Sequence, residues 1–415
     1  MTADRAASLA EAPWLRAGAL PRLFDALDGD GEEARVIGGA VRNALIGAPI
    51  GDIDIATTAL PEEVIRRVEA QGFKAVPTGI AHGTLTVVVD GAPFEVTTLR
   101  EDVETFGRHA RVVFGRDWAA DAARRDFTIN ALSLSRDGTV HDPVGGLADI
   151  AARRVRFIGE PGQRIAEDYL RILRFFRFHA AYGRGPLDPA GLAACIAGRD
   201  GLERLSRERV RAELVKLLAA PGALAAATAM TDAGLLTRLL GGVVNLVHLD
   251  RLIAVEQALA LAPDPVRRLG ALAVTIVEDA ERLRERLRLT NAEFDRLTAM
   301  AEGWWQQLPP PPEAWAREAL YRAGVDNFTD HVLIGWARAG AAPDDPAWRA
   351  FAALPQRWNV PAFPLRAADF LARGVPRGPA LGAALAAAER AWIAAGFPAD
   401  RAALAGIADQ AARGS

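Results

Sequence analysis

Across residues 1–150, short runs rich in Val, Ile and Thr alternate with stretches whose apolar residues fall at helical spacing. ARVIGG, DIDIATT, GTLTVVV, PFEVTTL and INALSL read as strands, because β-branched side chains pack well on a pleated surface. Beyond Asp149 the strand signals nearly vanish. Leu, Ile, Phe and Val recur there at helical intervals to the end, interrupted by Gly/Pro clusters. The chain is therefore expected to be α+β, a mixed α/β head followed by helices alone. Breaks at YGRGPLDPAG (182–191), Pro263 to Pro265, Pro309 to Pro312 and Pro376 to Pro379 are candidate joints, and no fixed-period repeat is present.

One segment of the head carries candidate chemistry. In RVIGGAVRNALIGAPIGDIDIATT a strand runs into Gly38 and Gly39 and then into a helix beginning near Val41. Two bare residues let a phosphate approach the amide N–H groups at the positive end of a helix. Arg42, on the first turn, would add a charge-assisted contact to a triphosphate. In the following GDIDIAT, period-2 geometry puts Asp52 and Asp54 on one face while Ile53 and Ile55 turn to the core. Two converging carboxylates repel unless a cation sits between them, and hard oxygen ligands select Mg²⁺. A D-x-D pair also occurs on solvated strand faces; its spacing from Gly-Gly-x-x-Arg is what favours a nucleotide site. A third carboxylate, Glu95, sits among apolar residues on a predicted central strand, where it would coordinate metal, assist proton removal, or form a structural ion pair.

Composition bounds the rest. At 415 residues the chain is long enough for several packed units, and 50% hydrophobic with 24% charged residues is an ordinary globular balance. A net charge of −3 gives no global attraction to nucleic acid, so any such site must be a local patch. Lys74 and Lys216 are the only lysines; the other basic residues are arginines, whose fork holds a phosphate or a base edge with two hydrogen bonds. A general composition bias accounts for most of that excess at this level. The lone Cys195 excludes an internal disulfide and a Cys-based zinc site. With no signal-peptide pattern and no charge-free run long enough for a membrane helix, a cytoplasmic protein is expected.

The motifs together resemble the bacterial class II tRNA nucleotidyltransferase and poly(A) polymerase family of the polymerase-β superfamily. GGAVRN with DID resembles the family's first motif and DAARRDFTINAL its second. DPVGGLADI is similar to the linker into a helical neck, AEDYLRILRFFRF to the nucleotide-selecting motif, and SRERVRAELVKLL to the last of the series. The resemblance covers roughly the first 220 residues and implies a nucleotidyltransferase head (1–150), neck (151–220), body (221–308) and RNA-contacting tail (309–415).

It also implies roles. Arg125 would contact the triphosphate and Asp126 the ribose hydroxyls. Asp168, Arg171 and Arg174 recur every three residues, so on a helix they form a slanted row on one face. Cytosine and adenine each present an amino donor beside a ring-nitrogen acceptor. Uracil and guanine present a carbonyl in place of that amino group. An acceptor at Asp168 beside a donor at Arg171 therefore pairs with C and A, while Arg174 and Arg177 hold the row or reach substrate. The interval from Glu101 to Trp118, with Gly107, Arg108, His109 and Arg111 at its centre, matches a mobile loop of members that read both bases. Asn43 departs from the family's usual Asp, which puts only local helix capping in doubt. His179, His248 and His331 read as structural, Trp304 and Trp305 as packing anchors, and the Gly-Pro turn at Gly378 as a possible RNA contact. The implied activity is addition of CMP and AMP to tRNA 3′ ends from CTP and ATP with Mg²⁺, with no membrane and no protein partner. A poly(A) polymerase, a CC-adding enzyme and a catalytically silent RNA-binding relative are the alternatives.

Overall fold

The computed structural model describes residues 9–106, 109–302 and 310–414, so Gly107, Arg108, Trp304 and Trp305 lie outside the described residues. The chain divides into two compact units, one running through Leu239 and one from Leu240 onward. Head and neck share the first unit.

The head is a seven-stranded sheet in the order β3-β4-β5-β2-β1-β8-β9. Its strands are β1 (Ala34–Ile37), β2 (Asp54–Thr57), β3 (Lys74–Gly79), β4 (Thr84–Val89), β5 (Ala92–Thr98), β8 (Ser133–Leu134) and β9 (Val140–His141). Pairing is antiparallel except between β2 and β5. Val36, Ile55, Leu85, Val87 and Val96 point into the core and are almost completely buried. Helix α1 (Ala19–Leu27) packs on the sheet because Leu20, Leu23, Phe24 and Leu27 recur at the spacing that lines one helical face. It ends at Asp28, whose carboxylate accepts from the Ala34 N–H at 2.7 Å and so aims the chain into β1.

Four details differ from the sequence reading. Strand β2 starts at Asp54, not at Asp52. INALSL is split between a 3₁₀ turn (Thr128–Asn130) and the two-residue β8. Strands β3 and β9 escape the pattern, β3 because Pro77 and exposed polar positions interrupt its alternation, β9 because it is two residues long. The interval read as a mobile loop is a separate hairpin of β6 (Arg100–Phe106) and β7 (His109–Phe114), consistent with the β-branched content of DVET and RVVF.

The neck joins the head through an aromatic cluster. Phe127 and Phe157 form an isolated antiparallel bridge with ring centroids 4.8 Å apart, and Phe175 stacks on Phe157 at 5.4 Å. Phe175 belongs to helix α2 (Leu170–Tyr182), whose Ile172, Leu173 and Phe176 are also buried. Packing of these rings fixes the Arg125–Asp126 segment relative to that helix. Beyond the head every described element is helical.

The second unit buries charges as a matched set. Asp330, only 1% exposed, lies in the long helix Glu313–Ala339, which is broken at Gly324 (φ 75°). Its carboxylate accepts from Arg267 Nε at 2.7 Å and from Arg296 Nη2 at 2.8 Å, and Arg268 Nε donates to buried Glu256 at 2.8 Å. Removing one member of such a set strands the others in a low dielectric. Asp330→Ala is expected to cost about 3–5 kcal/mol in the urea transition of this unit. A loss below about 1 kcal/mol would mean that solvent already screens the cluster.

Candidate active site

The register of the sheet assembles the site. Ile37, the last residue of β1, pairs with Asp54, the first of β2, so the turn at Gly38 lies beside the Asp54 carboxylate. Gly38 has φ 67° and ψ −121°, a conformation that L side chains rarely adopt, and the helix Gly39–Ile46 starts directly after it.

On the other side of β2, Glu95 of β5 stands opposite Asp54. Glu95 is exposed while Phe94 and Val96 are buried, so it projects from the solvent face and is not the buried charge its apolar neighbours suggested. Asp52 is also exposed and precedes the strand; the loop, not strand alternation, brings it near Asp54. Burial, then the charges of Glu95 and Asp52, push the Asp54 carboxyl above the usual aspartate range, with Arg125 opposing. Among the described residues no three His, Cys, Asp or Glu side chains stand at metal-ligating spacing. The donor set nevertheless fits a hard divalent cation: oxygen-only, mutually repelling, and open to solvent where Mg²⁺ would keep water and take substrate phosphates.

A cleft of about 550 Å³ opens beside the start of β2. It is lined by Gly38, Gly39, Asp54, Asp126, Asp168 and seven arginines: Arg42, Arg124, Arg125, Arg171, Arg174, Arg177 and Arg209. Asp52 and Glu95 are not among its lining residues.

The arginines differ in what they have left to offer. Arg42 is buried, donates to Tyr182 Oη at 2.8 Å and to the side-chain oxygens of Asn43 and Asn130, and stacks 3.9 Å from the Tyr182 ring centroid. Its guanidinium ties the Gly39–Ile46 helix to the neck, and burial, followed by the charge of Arg177, lowers its pKa. Arg125 pairs with Asp121 at 3.0 Å beside Gly38, and Arg124 pairs with the same aspartate. Both arginines hold the pKa of buried Asp121 low against its desolvation.

Asp126, 8% exposed, is fully engaged. Oδ1 accepts from the Phe127 N–H at 2.9 Å and Asn130 Nδ2 at 3.2 Å, and Oδ2 from Arg174 Nε at 2.7 Å with Arg174 Nη2 at 2.6 Å. A carboxylate has about four lone-pair sites, so a ribose hydroxyl would have to displace one of these donors. Arg177 pairs with buried Glu213 at 2.6 Å, and Glu213 also lies 3.9 Å from Arg174.

Asp168 is not on the helix. It occupies an extended link (φ −154°, ψ 107°) between helices Pro161–Glu167 and Leu170–Tyr182, where its Oδ1 accepts from the Leu170 N–H at 3.0 Å. An aspartate competes for backbone N–H groups and so favours a helix start over a helix interior, which breaks the expected single row. Asp168 still faces the cleft with Arg171, which is paired to Glu167 and donates to the Arg164 carbonyl at 2.9 Å. Tyr182, Asn130, Arg124, Arg209 and Glu213 escaped the sequence reading as site residues. Arg209 and Glu213 lie within SRERVRAELVKLL, and Tyr182 lies one helical turn beyond Phe178, so periodicity alone could have proposed it.

Carboxylates at the start of a central strand, beside a glycine turn and an arginine-lined cleft, define a nucleotidyltransferase. Residues 34–156 match the poly A polymerase head domain, and residues 186–245 match the probable RNA and SrmB-binding site of polymerase A. The mitochondrial CCA tRNA nucleotidyltransferase 1 of Mus musculus is 32% identical over 89% of this chain and 84% of its own length. The CCA-adding enzyme of Geobacillus stearothermophilus is 36% identical over 78% of this chain and 80% of its own. Among solved structures, the Bacillus stearothermophilus CCA-adding enzyme in complex with CTP superposes with a TM-score of 0.69 at 31% identity, covering 90% of this chain and 92% of that one. The chain belongs to the family of CCA-adding tRNA nucleotidyltransferases.

The raised Asp54 carboxyl gives a stability test. Its ionised form costs folding free energy at neutral pH, a cost that disappears as pH falls through the carboxylate range, where Asp54 is protonated folded or unfolded. In EDTA, Asp54→Asn should therefore melt at a higher temperature than the parent at pH 8, with the difference shrinking toward pH 4; in a separate assay with MgCl₂ its turnover should fall by at least about 10²–10³-fold. A variant that melts lower at pH 8 would show that Asp54 is not electrostatically strained.

Proposed function

We propose that the protein adds CMP and AMP to tRNA 3′ ends, using CTP and ATP and releasing pyrophosphate, with Asp52 and Asp54 holding Mg²⁺. The observation that carries this reading is the shared cleft: Asp54 at the start of central strand β2 and Asp168 with Arg171 at the neck open onto one volume. A triphosphate bound at Gly38 and Gly39 would thus have its base within reach of the neck.

When bound, Mg²⁺ supplies charge for the attacking hydroxyl and the leaving pyrophosphate. The chain's own groups do the rest. Backbone N–H groups at the start of the Gly39–Ile46 helix receive phosphate oxygens, and Arg125 adds charge beside them. Glu95, exposed opposite Asp54, is placed to accept a proton or join the metal ligands. Asp126 and Arg174 keep head and neck in register, and Arg177 with Glu213 supports the same helix. Asp168 accepts from the exocyclic amino group of cytosine or adenine while Arg171 donates to the ring nitrogen. Uracil and guanine leave Asp168 facing a carbonyl, an unpaired polar contact costing on the order of 1–3 kcal/mol. We place the enzyme in the cytoplasm, where its nucleotide and tRNA substrates meet.

Purified protein with MgCl₂ should incorporate labelled CMP into a tRNA transcript lacking CCA and AMP into one ending in CC. Extension of unrelated RNA by ATP alone would instead identify a poly(A) polymerase, and CMP addition without AMP a CC-adding enzyme.

A further inference from the structure

Arg209 has no role in the reading above, yet it lines the same cleft and holds the group that reads the base. It sits on the first turns of the helix Arg207–Ala219, whose start is capped by Ser206 Oγ accepting from the Arg209 N–H at 3.4 Å. Its Nη2 donates to Asp168 Oδ2 at 2.7 Å. Because Asp168 lies in an extended link, no helix fixes the direction of its side chain. Two contacts do so: the Leu170 N–H on Oδ1 and Arg209 on Oδ2. The residue that follows Asp168 is closely packed as well. The neighbouring Tyr169 ring lies so close to Gly201 that a Cβ there would come within 1.9 Å of it, and Arg204 stands 5.5 Å from the ring centroid.

We propose that Arg209 is a positioning residue for base selection, acting through Asp168. Each carboxylate oxygen keeps a lone-pair site after its contact with Leu170 or Arg209. Asp168 is 34% exposed at its side chain, so the remaining sites are open to the cleft. The pair therefore holds the carboxylate as a fixed acceptor with spare capacity, a preorganised arrangement in which little orientation is lost when an amino group arrives. Arg171 is arranged in the same manner, with Nη1 held by Glu167 and the Arg164 carbonyl and its other donors left over. Without Arg209, Asp168 would turn among several directions and separate an amino group from a carbonyl less sharply. Arg209 is half exposed, so its removal leaves no buried charge behind.

This inference rests on Asp168 being the base acceptor, and the experiment separates the two. The kcat/KM ratio for CTP over UTP is measured on a tRNA transcript lacking CCA with parent, Arg209→Ala, Arg209→Lys, Asp168→Ala and the double variant Arg209→Ala/Asp168→Ala, each checked by thermal melting. Arg209→Ala should lower the ratio on the order of tenfold, the scale for losing a group that orients a ligand, mainly through a higher KM for CTP. Arg209→Lys should restore part of it, and the double variant should match Asp168→Ala alone. An unchanged ratio in Asp168→Ala would sink the acceptor reading itself. A changed ratio there with an unchanged one in Arg209→Ala, or an equal fall for CTP and UTP in Arg209→Ala, would overturn the role of Arg209 alone.

Discussion

The contact between Asp126 and Arg174 is the constraint on which the site depends. It joins a carboxylate of the head, from the segment that leads into β8, to a guanidinium on the Leu170–Tyr182 helix, with two nitrogens on one oxygen. The Phe178 ring lies 5.2 Å from the Arg174 guanidinium and Asp126 is buried, so this charge-assisted pair is stronger than one between two fully solvated side chains. Through it, the strand that carries Asp54 and the link that carries Asp168 are held at a fixed separation. Loosening it would leave both halves folded and the cleft without a defined width.

Within that frame the chain concentrates charge that its composition conceals. A molecule with net charge −3 gathers seven arginines around one cleft against three lining aspartates. The excess is local and partly prepaired, so the arginines nearest the neck are oriented by Asp126, Glu167 and Glu213 before any nucleotide arrives. Field strength at such a site comes from placement and desolvation more than from total charge.

The sequence made the head legible where physics is local. A β-branched run ending in two glycines and followed by D-x-D can be read directly, because strand, turn and carboxylate spacing are all encoded within 20 or so residues and obey simple periodicities. It misread what depends on pairing between distant segments. Glu95 is near Asp54 because β2 and β5 run parallel in register, and only the sheet reveals that its side chain faces solvent. Asp168 looked helical because three-residue spacing continues through it, but its carboxylate caps the next helix and interrupts the period. The hairpin of β6 and β7 passed for a loop because its charges mask a modest β-branched pattern. Arg209 and Arg42 were present in recognisable motifs, but whether a guanidinium is free or already engaged is a property of three-dimensional packing.

The abundance of arginine over lysine takes on a different meaning in the fold. Several guanidiniums reach from one helix to the unpaired carbonyls at the end of another. Arg67 donates to Leu27 at 3.3 Å, Arg282 to Leu240 and Ala273 at 3.2 and 3.4 Å, Arg338 to Met300 at 3.4 Å and to Val274, and Arg349 to Ala258 at 3.3 Å. The last carbonyls of a helix have no partner within it, and a planar fork can serve two of them at once, which an ammonium point charge does less well. Genomic drift toward lysine would therefore not be neutral for this protein. Each such replacement would loosen a junction between helices, so arginine at these positions is a requirement of the architecture.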